Sequence, residues 1–118
     1  MKVLIIDDDT EVHEMLNVFF KDLEHETINC TNGSEGLKQI VVGEFDTVFL
    51  DIRLPDKDGL EMLKEIKQIN PNLPVIMITA YKDAEKVIEA FRYGAMDCLL
   101  KPFNFEYMKN LLVQIPKK

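Results

Sequence analysis

Cysteine is scarce in this sequence, and positive charge is the minority sign. Only Cys30 and Cys98 occur, both inside apolar stretches. Neither has the spacing of a metal site or a disulfide framework, so each reads as a small buried hydrophobe in a chain from a reducing compartment. Lys and Arg number 14 against 21 Asp and Glu, giving a net charge of −7 that is spread along the chain. A surface of that sign repels phosphate backbones, which argues against direct nucleic-acid binding. Long hydrophobic runs are missing too. The first run, 3–6, is too short for a signal peptide, and no stretch approaches membrane-spanning length. The expectation is a soluble, cytoplasmic protein with no membrane partner.

What is present suffices for one domain covering 1–118. Apolar residues make up 47% of the chain, enough to bury a core without covalent help. There is no repeat, low-complexity tract or linker. Instead, short apolar runs at 3–6, 27–30, 47–50, 75–78 and 96–100 alternate with helical patterns. Four of the runs are rich in β-branched residues with little polar alternation, as strands buried on both faces should be. The last is leucine-rich and takes its assignment from its place in the alternation.

The helices have readable ends. Thr10 precedes the stripe Val12, Leu16, Phe19, Leu23, and Asn32-Gly33-Ser34 turns into Leu37, Ile40, Val41. Asp58 with Glu61 makes a capping-box pattern before Leu60, Leu63 and Ile66. Asp83 precedes Ala84, Val87, Ile88 and Phe91, and Gly94 stands where a glycine stops a helix. Asn104 opens the last helix, which Pro116 ends. Crossovers of this length require parallel strands with helices on both faces, hence an α/β doubly wound five-stranded sheet. A flavodoxin-like order, 2-1-3-4-5, puts strands 1 and 3 side by side at the switch point.

Ligands of such sheets bind beyond the carboxyl ends of the strands. Strand 1 ends in Asp7-Asp8-Asp9, strand 3 in Asp51, strand 4 in Thr79 and strand 5 in Lys101-Pro102. Converging carboxylates repel one another, and a hard divalent cation neutralises them. With a hydroxyl and an ammonium added, the set points to a phosphoryl group beside Mg²⁺. Asp51, alone on the central strand, is the expected nucleophile, giving an aspartyl phosphate. Lys101 and Mg²⁺ supply positive charge, and Thr79 a hydrogen bond. An acidic run before a helix is ordinarily just capping. That covers Asp9, but two carboxylates directly after a buried strand are costly without a counter-ion.

These residues resemble the response-regulator receiver family across essentially the whole chain. The matching segments are Val3 through Asp9, Asp51-Ile52-Arg53-Leu54-Pro55-Asp56-Lys57-Asp58-Gly59, Val75-Ile76-Met77-Ile78-Thr79-Ala80, Gly94-Ala95 and Lys101-Pro102-Phe103. The resemblance implies that Asp7 and Asp8 hold Mg²⁺, with Asp51 and the backbone carbonyl of Arg53 contributing. It implies a cis peptide before Pro102. It implies a phosphoacceptor rather than an enzyme, with a sensor histidine kinase or histidine phosphotransfer protein as donor and a downstream effector protein as reader. The expected state is a monomer or a weak phosphorylation-dependent dimer. Arg53, Tyr81 and Cys98 together resemble single-domain phosphorelay regulators of the sporulation type, and mark those positions as modulators. The alternative is the receiver half of a DNA-binding transcriptional regulator.

Two rivals are weaker. Haloacid-dehalogenase-like phosphatases carry Asp-x-Asp-x-Thr/Val after strand 1, but Glu11 stands in the Thr/Val place. Flavodoxins wrap phosphate with hydroxyls and amides, where this loop offers carboxylates. His13 and His25 are isolated and read as solvated. The first helix carries a broad apolar band, explained either by core packing or by Val12 and Met15 lying exposed as a docking patch.

Overall fold

The computed structural model describes residues 1–116, with Tyr81 described through its backbone alone. Five strands, β1 (Lys2–Ile6), β2 (Glu26–Cys30), β3 (Thr47–Asp51), β4 (Val75–Thr79) and β5 (Asp97–Leu100), pair in parallel in the order β2-β1-β3-β4-β5. Every residue of β3 and β4 is buried, which accounts for their unbroken apolar runs. Side chains alternate across the sheet. Leu4, Ile6, Val48 and Leu50 join one core cluster, and Val3, Ile5 and Phe49 the other.

The helices are α1 (Thr10–Asp22), α2 (Gly33–Val42), α3 (Gly59–Ile69), α4 (Val87–Arg92) and α5 (Phe105–Val113). α2, α3 and α4 cover the first cluster, through residues such as Ile40, Leu63 and Ala90. α1 and α5 cover the second, through Leu16, Phe20, Met108 and Leu112. Val12 belongs to this core at 3% exposure, whereas Met15 and Val18 lie at the surface. Val12 is therefore no part of an exposed patch.

Four helices begin as their side chains dictate. Asp9, Asn32, Asp58 and Asn104 accept hydrogen bonds from the amides of Glu11, Glu35, Leu60 and Tyr107. The Asp58 cap takes the Leu60 amide, and Glu61 faces Lys64 Nζ at 3.2 Å, so the expected capping box forms only in part. The helix expected from Asp83 differs more. A 3₁₀ turn spans Tyr81–Lys86 and α4 begins only at Val87. Asp83 cannot cap because its carboxylate is held by Arg53. Gly94 closes α4 at φ 102°, a left-handed conformation that glycine adopts without strain.

Both cysteines are free; Cys30 is buried and Cys98 half-buried against the first cluster. Burial, then the Asp97 carboxylate, pushes the Cys98 thiol up to about 11, away from reactivity. Among the described residues no helix is long and apolar enough to cross a membrane.

Candidate functional site: an acidic cluster at the strand ends

The strand order brings the ends of β1 and β3 together, with Ile6 paired to Leu50 immediately before Asp7 and Asp51. Asp7, Asp8 and Asp51 each turn an oxygen into one space, all within 4.8 Å of one another. Asp7 is fully buried, Asp51 is 7% exposed and Asp8 faces solvent. Lys101 reaches over from the end of β5, its Nζ 3.1 Å from Asp7 Oδ2 and 3.7 Å from Asp51 Oδ2. The Lys101–Pro102 peptide is cis.

The charges perturb one another. Burial, then the Asp7 carboxylate, drives the Asp51 carboxyl up to about 7 against the pull of Lys101. Burial draws Lys101 down, but Asp51 and Asp7 outweigh it and hold its ammonium above the ordinary value. Asp7 Oδ1 accepts from the Asp9 amide at 2.9 Å, while Oδ2 receives no well-formed hydrogen bond and meets Lys101 as a charge contact. Three hard oxygens in one space, one of them buried and short of donors, fit a divalent cation of the Mg²⁺ kind.

Other residues shape the rim. The Thr79 hydroxyl is buried and donates to the Ala80 carbonyl at 3.1 Å rather than to Asp51. The Lys101 amide bonds the Thr79 carbonyl at 3.0 Å, so the two are joined through the backbone. The Arg53 amide donates to Asp51 Oδ1 at 3.2 Å, and its guanidinium turns away to Asp83. Cys98 lies within β5, paired with Met77, and does not reach the cluster. The Tyr81 side chain lies outside the described residues. Gly59 packs so tightly under the site that a Cβ there would stand 2.3 Å from the Asp51 carbonyl oxygen.

A family model, the response regulator receiver domain, matches residues 3–113. The chain belongs to the response-regulator receiver family. This receiver is 36% identical to the transcriptional regulatory protein ZraR of Klebsiella oxytoca and 39% identical to the regulatory protein AtoC of Escherichia coli K12, over 91% and 96% of its length. It spans only about a quarter of each, 24% in both cases. The receiver domain of NtrX from Brucella abortus superposes with a TM-score of 0.89 at 32% identity, covering 95% of both chains. The fold and the family are those the sequence led us to expect: a receiver domain of two-component signal transduction.

Three residues of the receiver's site region were not singled out as such by the sequence. His13, read as solvated, is buried and bonded on both ring nitrogens. Asp83 meets Arg53 across 30 positions, and Asp56 accepts from the Gly33 and Ser34 amides at 2.7 and 3.0 Å. That last pair of bonds, with Gly33 first, holds the Asp56 carboxyl below its ordinary value. Partners 22 to 30 positions away, as for Asp56 and Asp83, leave no local signal.

Proposed function

We propose that Asp51 is the phosphoacceptor of this receiver. The observation that carries the reading is the Asp51 carboxylate at the end of the central strand, between an acidic pocket and the Lys101 ammonium. An Asp51 oxygen attacks phosphorus, the phosphorus–nitrogen bond of a phosphohistidine breaks with its electron pair going to the ring nitrogen, and, with a proton on the other ring nitrogen, the histidine leaves neutral. Asp7, Asp8, Asp51 and the Arg53 carbonyl would hold Mg²⁺, whose positive charge would neutralise the phosphoryl oxygens. Lys101 balances the remaining charge. Thr79 rotates from the Ala80 carbonyl to donate to the phosphoryl group. The donor is a sensor histidine kinase or histidine phosphotransfer protein, and the chain catalyses only its own phosphorylation and dephosphorylation.

The domain occupies 1–118 and works in the cytoplasm, as a monomer or a weak phosphorylation-dependent dimer. Arg53, Tyr81 and Cys98 tune the lifetime and reach of the signal, and a downstream effector protein reads it. The name of ZraR, a transcriptional regulatory protein, favours transcription as the regulated process over a sporulation-type relay. Any contact with DNA then belongs to another domain or a partner, because the receiver's own charge opposes it.

Mass spectrometry after incubation with acetyl phosphate and Mg²⁺ tests the assignment. One added phosphoryl mass is expected, lost in Asp51→Asn and lost when Mg²⁺ is chelated. Full labelling of Asp51→Asn would sink it.

A further inference from the structure

His13 lies in the first turn of α1 and is 7% exposed. Its Nε2 stands 2.6 Å from the carbonyl oxygen of Asp7, and its Nδ1 2.6 Å from Asn29 Oδ1 on β2. A carbonyl has no proton to give. Nε2 therefore carries one and donates it, whichever way the Asn29 amide lies.

The position of that carbonyl matters. The ladder pairs of β1 end at Ile6, with Cys30 on one side and Leu50 on the other. The Asp7 amide still bonds the Cys30 carbonyl at 3.1 Å, but the next peptide has left the sheet. That peptide joins Asp7 to Asp8, and it is planar, so the direction of its carbonyl fixes the direction of its amide as well. Its tilt sets the angle at which two adjacent carboxylates leave the backbone. The imidazole holds the tilt, and Asn29 anchors the imidazole to β2.

We infer that His13 is a positioning residue for the divalent cation, holding the Asp7–Asp8 peptide so that both carboxylates meet one ion. The inference rests on the reading of Asp7, Asp8 and Asp51 as the Mg²⁺ site. Mg²⁺ demands near-octahedral geometry and tolerates misplaced ligands poorly. Groups that orient ligands from behind are typically worth about 10- to 100-fold in metal affinity. A histidine that only fills the gap between α1 and β2 would cost stability when replaced, equally with and without metal.

The test is Mg²⁺ titration of the full chain, followed by calorimetry, in the parent, His13→Leu and His13→Gln. Leucine fills the space without a donor, whereas the glutamine amide can reach the same carbonyl. His13→Leu is expected to bind Mg²⁺ at least ~10-fold more weakly, and His13→Gln to stay within ~3-fold of the parent. Equal affinity in His13→Leu and the parent overturns the inference, as does an equal loss in both variants. If His13→Leu does not fold, His13→Ala with added imidazole replaces it: recovery of Mg²⁺ affinity supports the role, and no recovery overturns it. A parent that takes up no Mg²⁺ overturns the site reading and this inference together, which sets that failure apart from failure of His13 alone.

Discussion

Arg53 grips Asp83 with two nitrogens: Nε donates to Oδ1 and Oδ2 at 2.8 and 2.9 Å, and a terminal nitrogen lies 2.6 Å from Oδ1. Asp83 is buried at 3% exposure, and its bond from Arg53 holds its carboxyl below the ordinary value. The pair ties the loop after β3 to the 3₁₀ turn after β4, across the strand end that carries Asp51.

Releasing that tie should loosen the turn without unfolding the sheet. Arg53→Ala and Asp83→Ala are each expected to speed amide exchange at 80–86 by ~10-fold, in the manner of a local opening. The double variant should be no faster than either single one, because both remove the same contact. Additive effects would show that the two residues act separately.

The Asp51 carboxyl gives the metal-free protein an unusual pH profile. Its ordinary value of 3.8 rises to about 7 in the fold, so the folded state binds more protons than the unfolded one between those limits. The stability from this group is full below about pH 4 and is lost as pH climbs through about 7. Discounted for partial solvent screening and for coupling to Asp7, the loss is about 2 kcal/mol. Chelated parent protein should therefore melt at a lower temperature at pH 8 than at pH 5. Asp51→Asn should flatten much of the difference, and a profile unchanged by that substitution would remove Asp51 as its source.

Metal should reverse this penalty through Asp8, which is exposed and carries no structural burden. At Mg²⁺ a hundredfold above its dissociation constant, the parent should gain about 2.7 kcal/mol. Asp8→Asn should lose most of that gain, while its metal-free stability stays within about 0.5 kcal/mol of the parent. Thermal melts with and without Mg²⁺ measure both quantities.

Gly59 should tolerate no side chain. A Cβ would meet the Asp51 and Ile52 carbonyl oxygens at 2.3 and 2.5 Å, and backbone of a buried strand end cannot step aside cheaply. Gly59→Ala is expected to cost about 2–3 kcal/mol in urea denaturation. It should also slow labelling by acetyl phosphate, because the Asp51 peptide must shift.

β1, β3 and β4 were legible because parallel strands buried on both faces read as unbroken apolar runs, and each of the five strands fell one residue from expectation at one end. Caps at Asn32, Asp58 and Asn104 were legible for a similar reason, since each acts on amides two or three residues away. Asp83 misled because the same local signature serves a cap and a long-range ion pair alike. His13 misled because a single polar residue on an apolar helix face does not reveal whether a carbonyl waits beneath it.

Asp56 bonding the first amides of α2 has a consequence for traffic at the rim. Helix starts attract anions, and in this topology they crowd the same edge as the acidic pocket. α1, α2, α3 and α5 all open with a side-chain oxygen already seated on their early amides. Stray phosphate or sulfate arriving from solvent finds at least one early amide already taken at each of the four. At α2, where Asp56 and Asn32 together hold three early amides, the edge turns carboxylate charge toward solvent in place of free donors.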